Sequence, residues 1–126
     1  MLYKQKQTED MLDFIKGIFG KGIEGFTELE DEAFAAKLRD TSKPFILDVR
    51  SRQEHKEEKL HNAFNMDIMM PNFEERIGHM DKDKHYFVYC KSGSRGRKAC
   101  RKLVKAGFKH IYNLKGGLNA WTGKTV

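Results

Sequence analysis

Cys90 closes the apolar run "HYFVYC" (His85–Cys90), and the six residues after it, "KSGSRG", are all small or basic. A cysteine used for packing belongs among apolar neighbours, so this one points to chemistry at the thiol. Gly93 permits backbone angles closed to other residues, Ser92 and Ser94 add hydroxyls, and successive amide N–H groups can converge on one centre. A strongly helical stretch starts at the end of this loop. Its N-terminus adds partial positive charge, and Lys91, Arg95 and Arg97 add whole charges. Each effect favours thiolate over thiol. Cys90 is therefore the candidate nucleophile, and Lys91, Ser92, Gly93, Ser94, Arg95 and Gly96 form the candidate substrate-binding loop.

Loop length narrows the chemistry. A cysteine and an arginine with five residues between them fit a tetrahedral phosphate or arsenate, whereas four residues make a tighter cradle suited to a terminal sulfur. Cys90 and Arg95 enclose four residues, "KSGS", and Gly96 stands where the longer loop would need its arginine. A phosphatase or arsenate reductase is thus the less favoured alternative.

The elements that must hold this loop are legible around it. "HYFVYC" predicts a strand, and "SRGRKACRKLVKAGF" a helix with Ala99, Cys100, Leu103 and Val104 facing inward and Gly107 as its stop. "PFILDVR" (Pro44–Arg50) is a short apolar run of the kind buried on both faces of a parallel sheet. "AFNMDI" and "HIYNL" predict further strands, and "NFEERIGHM" a helix with Phe73, Ile77 and Met80 on one side. Earlier, "EGFTELEDEAF" predicts a strand around Ile23–Phe26 and a helix capped by Thr27 and Glu30. Strands alternating with helices imply an α/β domain, and ligands of open α/β sheets bind beyond the carboxyl ends of the strands, where Cys90 falls.

Three separated segments resemble the single-domain rhodaneses, a family of rhodanese-like sulfurtransferases, over about residues 23–123. "FILDVRSRQEH" resembles the family's first buried strand with its Asp-Val-Arg and downstream Glu. "YCKSGSRG" resembles its catalytic loop, and "KLVKAGFKHIYNLKGGLNAW" its closing helix, strand, Gly-Gly turn and tryptophan. The resemblance implies a five-stranded, mainly parallel sheet with helices on both faces. It also implies that Cys90 takes a sulfur atom as a persulfide and passes it to a thiophilic acceptor. The amides of Lys91 to Gly96 would then cradle the outer sulfur, with Arg95 shaping the loop and attracting an anionic donor. Asp48 and Arg50 match structural positions beside the loop, and Gly116, Gly117 and Trp121 match the closing turn and its core anchor. The chain departs from the family where Gly-His-Ile-Pro-Gly-Ala is common and "EKLHNA" (Glu58–Ala63) stands instead, and Ser94 replaces a frequent asparagine.

The implied donors are thiosulfate or a small persulfide, and the implied acceptors cyanide, a low-molecular-weight thiol or a protein thiol. No metal or organic cofactor is implied. A sulfur-relay or persulfide-sensing module acting on a protein partner is the alternative from another class.

The totals agree with one domain: 126 residues, with residues 1–22 as an N-terminal tail and amphipathic helix and 23–126 as the catalytic domain. A net charge of +6 suits anionic ligands, and no nucleic-acid motif is present. Residues 11–19 carry an apolar face expected to pack on its own domain or on a neighbouring subunit, with membrane contact the weaker reading; the stretch is too short to span a bilayer. With two cysteines and no signal peptide, the expected setting is cytoplasmic with reduced thiols. Cys100 is read as a packing residue, the histidines (His55, His61, His79, His85 and His110) as surface or strand-edge residues, and "QEHKEEK" as a solvated helix.

Overall fold

The computed structural model describes residues 24–126. The stretch 11–19 and Ile23 lie outside the described residues. Short apolar runs build the sheet: β1 (Thr27–Leu29), β2 (Phe45–Asp48), β3 (Phe64–Asn65), β4 (His85–Tyr89) and β5 (His110–Leu114). They pair in the order β1-β5-β4-β2-β3, and every pairing is parallel. Between them run α1 (Asp31–Asp40), α2 (Arg52–Glu57), α3 (Phe73–Gly78) and α4 (Ser94–Lys105), with α5 (Gly117–Ala120) after the last strand.

Successive strand residues face opposite sides, so one apolar run feeds two cores. On β4, Tyr86, Val88 and Cys90 join a cluster with Phe73 and Ile77 of α3 and Ala99, Cys100 and Leu103 of α4. Phe87 and Tyr89 join the opposite cluster with Phe34 of α1 and Leu60, while Leu118 and Trp121 pack on it. Helices therefore cover both faces. α4 ends as expected, with Gly107 N–H donating to Val104 O and Phe108 N–H to Leu103 O, which satisfies carbonyls at the helix terminus.

Chain order creates the site. From β2 the chain steps outward to edge strand β3, whereas from β4 it steps the other way to β5. The connections after β2 and β4 diverge, and such a switch point opens a crevice at the carboxyl ends of adjacent strands. The Cys90 loop leaves β4 there, and α2 follows β2 on the other side.

Two local expectations are corrected. The first strand is Thr27–Leu29 rather than a segment around Ile23–Phe26, because these residues pair with Tyr112–Leu114 of β5. Thr27 is then a buried strand residue, so it cannot cap α1; Glu30 takes that position without a side-chain cap. The chain's capping box lies instead at α2, where Ser51 Oγ accepts from Glu54 N–H and Glu54 Oε1 accepts from Ser51 N–H.

The departure at Glu58–Ala63 has a physical resolution. Asn62 adopts φ 64°, a left-handed conformation that asparagine tolerates better than most side chains and that stands at the second glycine of the family pattern. Leu60 is buried and donates its N–H to the Tyr89 hydroxyl at 3.1 Å. Lys59 exchanges two backbone hydrogen bonds with Val126, tying the segment to the end of the chain.

Candidate active site

Cys90 lies one residue past β4 and is fully enclosed, with 0% exposure. Its Sγ receives the N–H of Gly93 at 3.0 Å and of Gly96 at 3.2 Å. Gly93 reaches this geometry at φ 105°, a conformation that a side chain would strain. Gly96, in the first turn of α4, faces Asn113 of β5, and a Cβ added there would fall on Asn113 Oδ1. Lys91, Ser92 and Ser94 are exposed around this buried centre, and Arg95 is half-buried. Of the six loop residues named from the sequence, Gly93 and Gly96 bring their backbone amides onto Cys90 Sγ, and no serine hydroxyl is bonded to it.

Two supports hold the loop from outside. Asn113 is buried in β5, and its Nδ2 donates to Glu28 Oε2 at 2.7 Å and to Gly93 O at 3.4 Å. Helix α5 clamps the loop's start: Leu118 N–H donates to Cys90 O at 2.9 Å and Asn119 N–H to Lys91 O at 3.0 Å. Neither support is visible in the loop's own sequence, because both come from β5 and the chain beyond it.

Asp48 anchors the facing side. Its carboxylate is buried with 0% exposure. Oδ1 accepts from the Arg50 backbone N–H and Nε, while Oδ2 accepts from Arg50 Nη2, His55 Nδ1 and the Tyr89 hydroxyl. A carboxylate can only accept, so the proton in the His55 contact sits on Nδ1. Burial first, and then the Asp48 charge, push the Tyr89 hydroxyl far up, keeping it a neutral donor. The structural role expected of Asp48 and Arg50 fits this network. His55 is no free surface residue; it closes the network.

Across the crevice, Arg95 Nη1 and Nη2 donate to Glu54 Oε1 at 2.7 Å and Oε2 at 3.0 Å. The Arg95 hydrogen bond, against partial burial, holds the Glu54 carboxyl down at about 2. The sequence predicts a solvated helix for "QEHKEEK", yet its Glu54 reaches the loop arginine. The Ser51-x-x-Glu54 spacing is the sequence signal that places Glu54 at the third position of α2. Arg97 lies 3.8 Å from Glu28. A cleft of about 530 Å³ adjoins the loop, lined among others by Glu54, Lys91 and Asn119.

Cys100 has none of these donors. Burial pushes its thiol well up, as suits a packing residue on α4. Among the described residues no group of three or more His, Cys, Asp or Glu side chains could hold a metal ion, and no helix is long and apolar enough to cross a membrane.

Fold and site together define a class: an open parallel α/β domain with a cysteine under a short amide-lined loop at the switch point. Residues 31–124 match the family model described as "Rhodanese-like domain", and the chain belongs to that family. It is similar to the YtwF protein of Bacillus subtilis (strain 168), with 34% identity over 98 residues, 78% of this chain and 92% of that one. It is also similar to the thiosulfate sulfurtransferase GlpE of Coxiella burnetii, with 36% identity over 76 residues, 60% of this chain and 69% of that one. The solution structure of a rhodanese-like domain from an Anabaena species superposes with a TM-score of 0.69 at 28% identity, over 79% of this chain and 77% of that one.

Proposed function

We propose that this domain is a sulfurtransferase that carries sulfane sulfur on Cys90. The observation that carries the reading is the pair of loop amides, Gly93 N–H and Gly96 N–H, aimed at Cys90 Sγ from 3.0 and 3.2 Å. Donors aimed at one atom stabilise negative charge on it, and a thiolate is the form that attacks sulfur. In the first half-reaction the Cys90 thiolate attacks the outer sulfur of thiosulfate. The sulfur–sulfur bond of the donor breaks, sulfite leaves with the electron pair, and Cys90 keeps one extra sulfur as a persulfide anion. In the second, cyanide or a thiolate, free or on a protein, attacks that outer sulfur. The thiolate of Cys90 leaves with the electron pair and is restored. Each step conserves charge and needs no redox partner.

The loop's backbone supplies what this chemistry requires: the N–H groups of two glycines aimed at one sulfur. The similarity to a thiosulfate sulfurtransferase of Coxiella burnetii supports thiosulfate as the donor to try first. Thiocyanate release from thiosulfate and cyanide is the test. The wild type should release it, Cys90→Ser should not, and neither should hydrolyse an aryl phosphate. Aryl phosphate turnover that depends on Cys90 would favour the phosphatase reading instead.

A further inference from the structure

Arg95 is the loop's own arginine, yet its guanidinium is already engaged. Both terminal nitrogens donate to the two oxygens of Glu54, the fork-to-fork arrangement that saturates a carboxylate with a guanidinium. Glu54 does not swing freely. It is fixed at the start of α2 by the capping box with Ser51, whose N–H donates to the same Oε1 that Arg95 holds. With its carboxyl held at about 2, Glu54 stays ionised throughout the pH range in which a thiolate works. The next arginine, Arg97 of α4, lies 3.8 Å from Glu28.

The approach is no more cationic. With Glu54 engaged by Arg95 and the Arg50 guanidinium by Asp48, Glu57 and Glu58 face Lys91 across the adjoining cleft. An incoming anion meets a neutralised arginine, the carboxylates of Glu57 and Glu58, and Lys91. Because repulsion between fixed charges scales with the product of the charges, a doubly charged donor is penalised twice as heavily as a singly charged one.

Resting on the sulfurtransferase reading above, we propose that Glu54 is a specificity-determining residue. It biases the loop against dianionic donors such as thiosulfate and toward donors of lower negative charge. Its carboxylate acts by cancelling the field of Arg95 at the loop, and it touches neither the sulfur nor the attacking thiolate. The substrate class favoured is a monoanionic sulfane-sulfur compound, an organic persulfide or an organic thiosulfonate, with inorganic thiosulfate the poorer donor.

A matched pair of donors isolates this effect. Thiosulfate carries two negative charges and releases sulfite; an arenethiosulfonate carries one and releases a sulfinate. In both, the Cys90 thiolate attacks the terminal sulfur, the donor's sulfur–sulfur bond breaks and the electron pair leaves on the oxidised sulfur. The measurement is kcat/KM for each donor, with cyanide as acceptor, in wild type, Glu54→Gln and Glu54→Asp. Glutamine keeps the chain length and an oxygen for the cap while removing the charge; aspartate keeps the charge.

Glu54→Gln should raise kcat/KM for thiosulfate roughly tenfold and for the arenethiosulfonate roughly threefold, the logarithmic gain doubling with donor charge. Both gains should shrink with added salt, and Glu54→Asp should retain the wild-type ratio of the two donors. An equal loss on both donors in Glu54→Gln would overturn the assignment, since it would mean that Glu54 serves only to shape the loop. A larger loss on thiosulfate would also overturn it, since Glu54 would then be holding Arg95 for anion capture. Should the wild type transfer sulfur from neither donor, the sulfurtransferase reading itself fails. Transfer from both with a donor ratio unmoved by Glu54→Gln removes only the specificity role.

Discussion

At the scale of single residues, the site depends on a close approach between Gly96 and Asn113. Gly96 must lack a side chain, because Asn113 Oδ1 occupies the space a Cβ would need. Gly96→Ala should therefore strain the start of α4 by about 1–3 kcal/mol and pull the Gly96 N–H away from Cys90 Sγ. The check is urea denaturation combined with thiocyanate release. Truncating the obstructing side chain, in Gly96→Ala with Asn113→Ala, should recover part of the lost stability even though Asn113→Ala alone destabilises. A cycle in which the two changes simply add would contradict the clash. Cys90 and its loop were readable in the sequence because strand, cysteine, glycines and arginine are contiguous. Asn113 was not, because its importance depends on β5 lying beside β4, a relation between distant segments.

At the scale of elements, the Arg95–Glu54 pair joins α4 to α2 across the switch point. It makes stability depend on pH in a definite direction. The Glu54 carboxyl, bonded to Arg95, lies at about 2 in the folded chain, below its ordinary 4.5. The folded state thus binds fewer protons than the unfolded state between those values. The stabilisation is complete above about 4.5 and is lost as pH falls toward about 2. In denaturant titrations over that interval, Glu54→Gln should lose stability less steeply than the wild type. Parallel slopes would show that the pair is not formed in solution. The same elements show why part of the sheet was hard to read. Thr27–Leu29 is three residues long and becomes a strand only by pairing with β5, so local spacing could equally suggest a helix cap at Thr27. Strands β2, β4 and β5 were legible because their apolar runs are buried centrally, where pattern and environment agree.

At the scale of the whole molecule, the parallel sheet gathers its chemistry at one end. The buried Asp48 joins β2, α2 and β4 there, accepting from Arg50, His55 and Tyr89 in the network beneath the loop. Removing that charge leaves the Arg50 guanidinium buried without its counterion. Asp48→Asn should destabilise the fold by about 3–5 kcal/mol, a large share of a domain's total stability. A loss below about 1 kcal/mol in urea denaturation would show that the network bears little of the fold. The family pattern made Asp48 and Arg50 recognisable, but the closing roles of His55 and Tyr89 follow from packing alone. Sulfur carriage by Cys90 is open to a direct measurement. Intact-mass analysis of the protein after treatment with thiosulfate, or with an arenethiosulfonate, should show a gain of one sulfur atom, placed on Cys90 by peptide mapping and removed by cyanide. The gain should be absent in Cys90→Ser. A wild-type mass unchanged by every donor, or an added sulfur that persists in Cys90→Ser, would contradict the account.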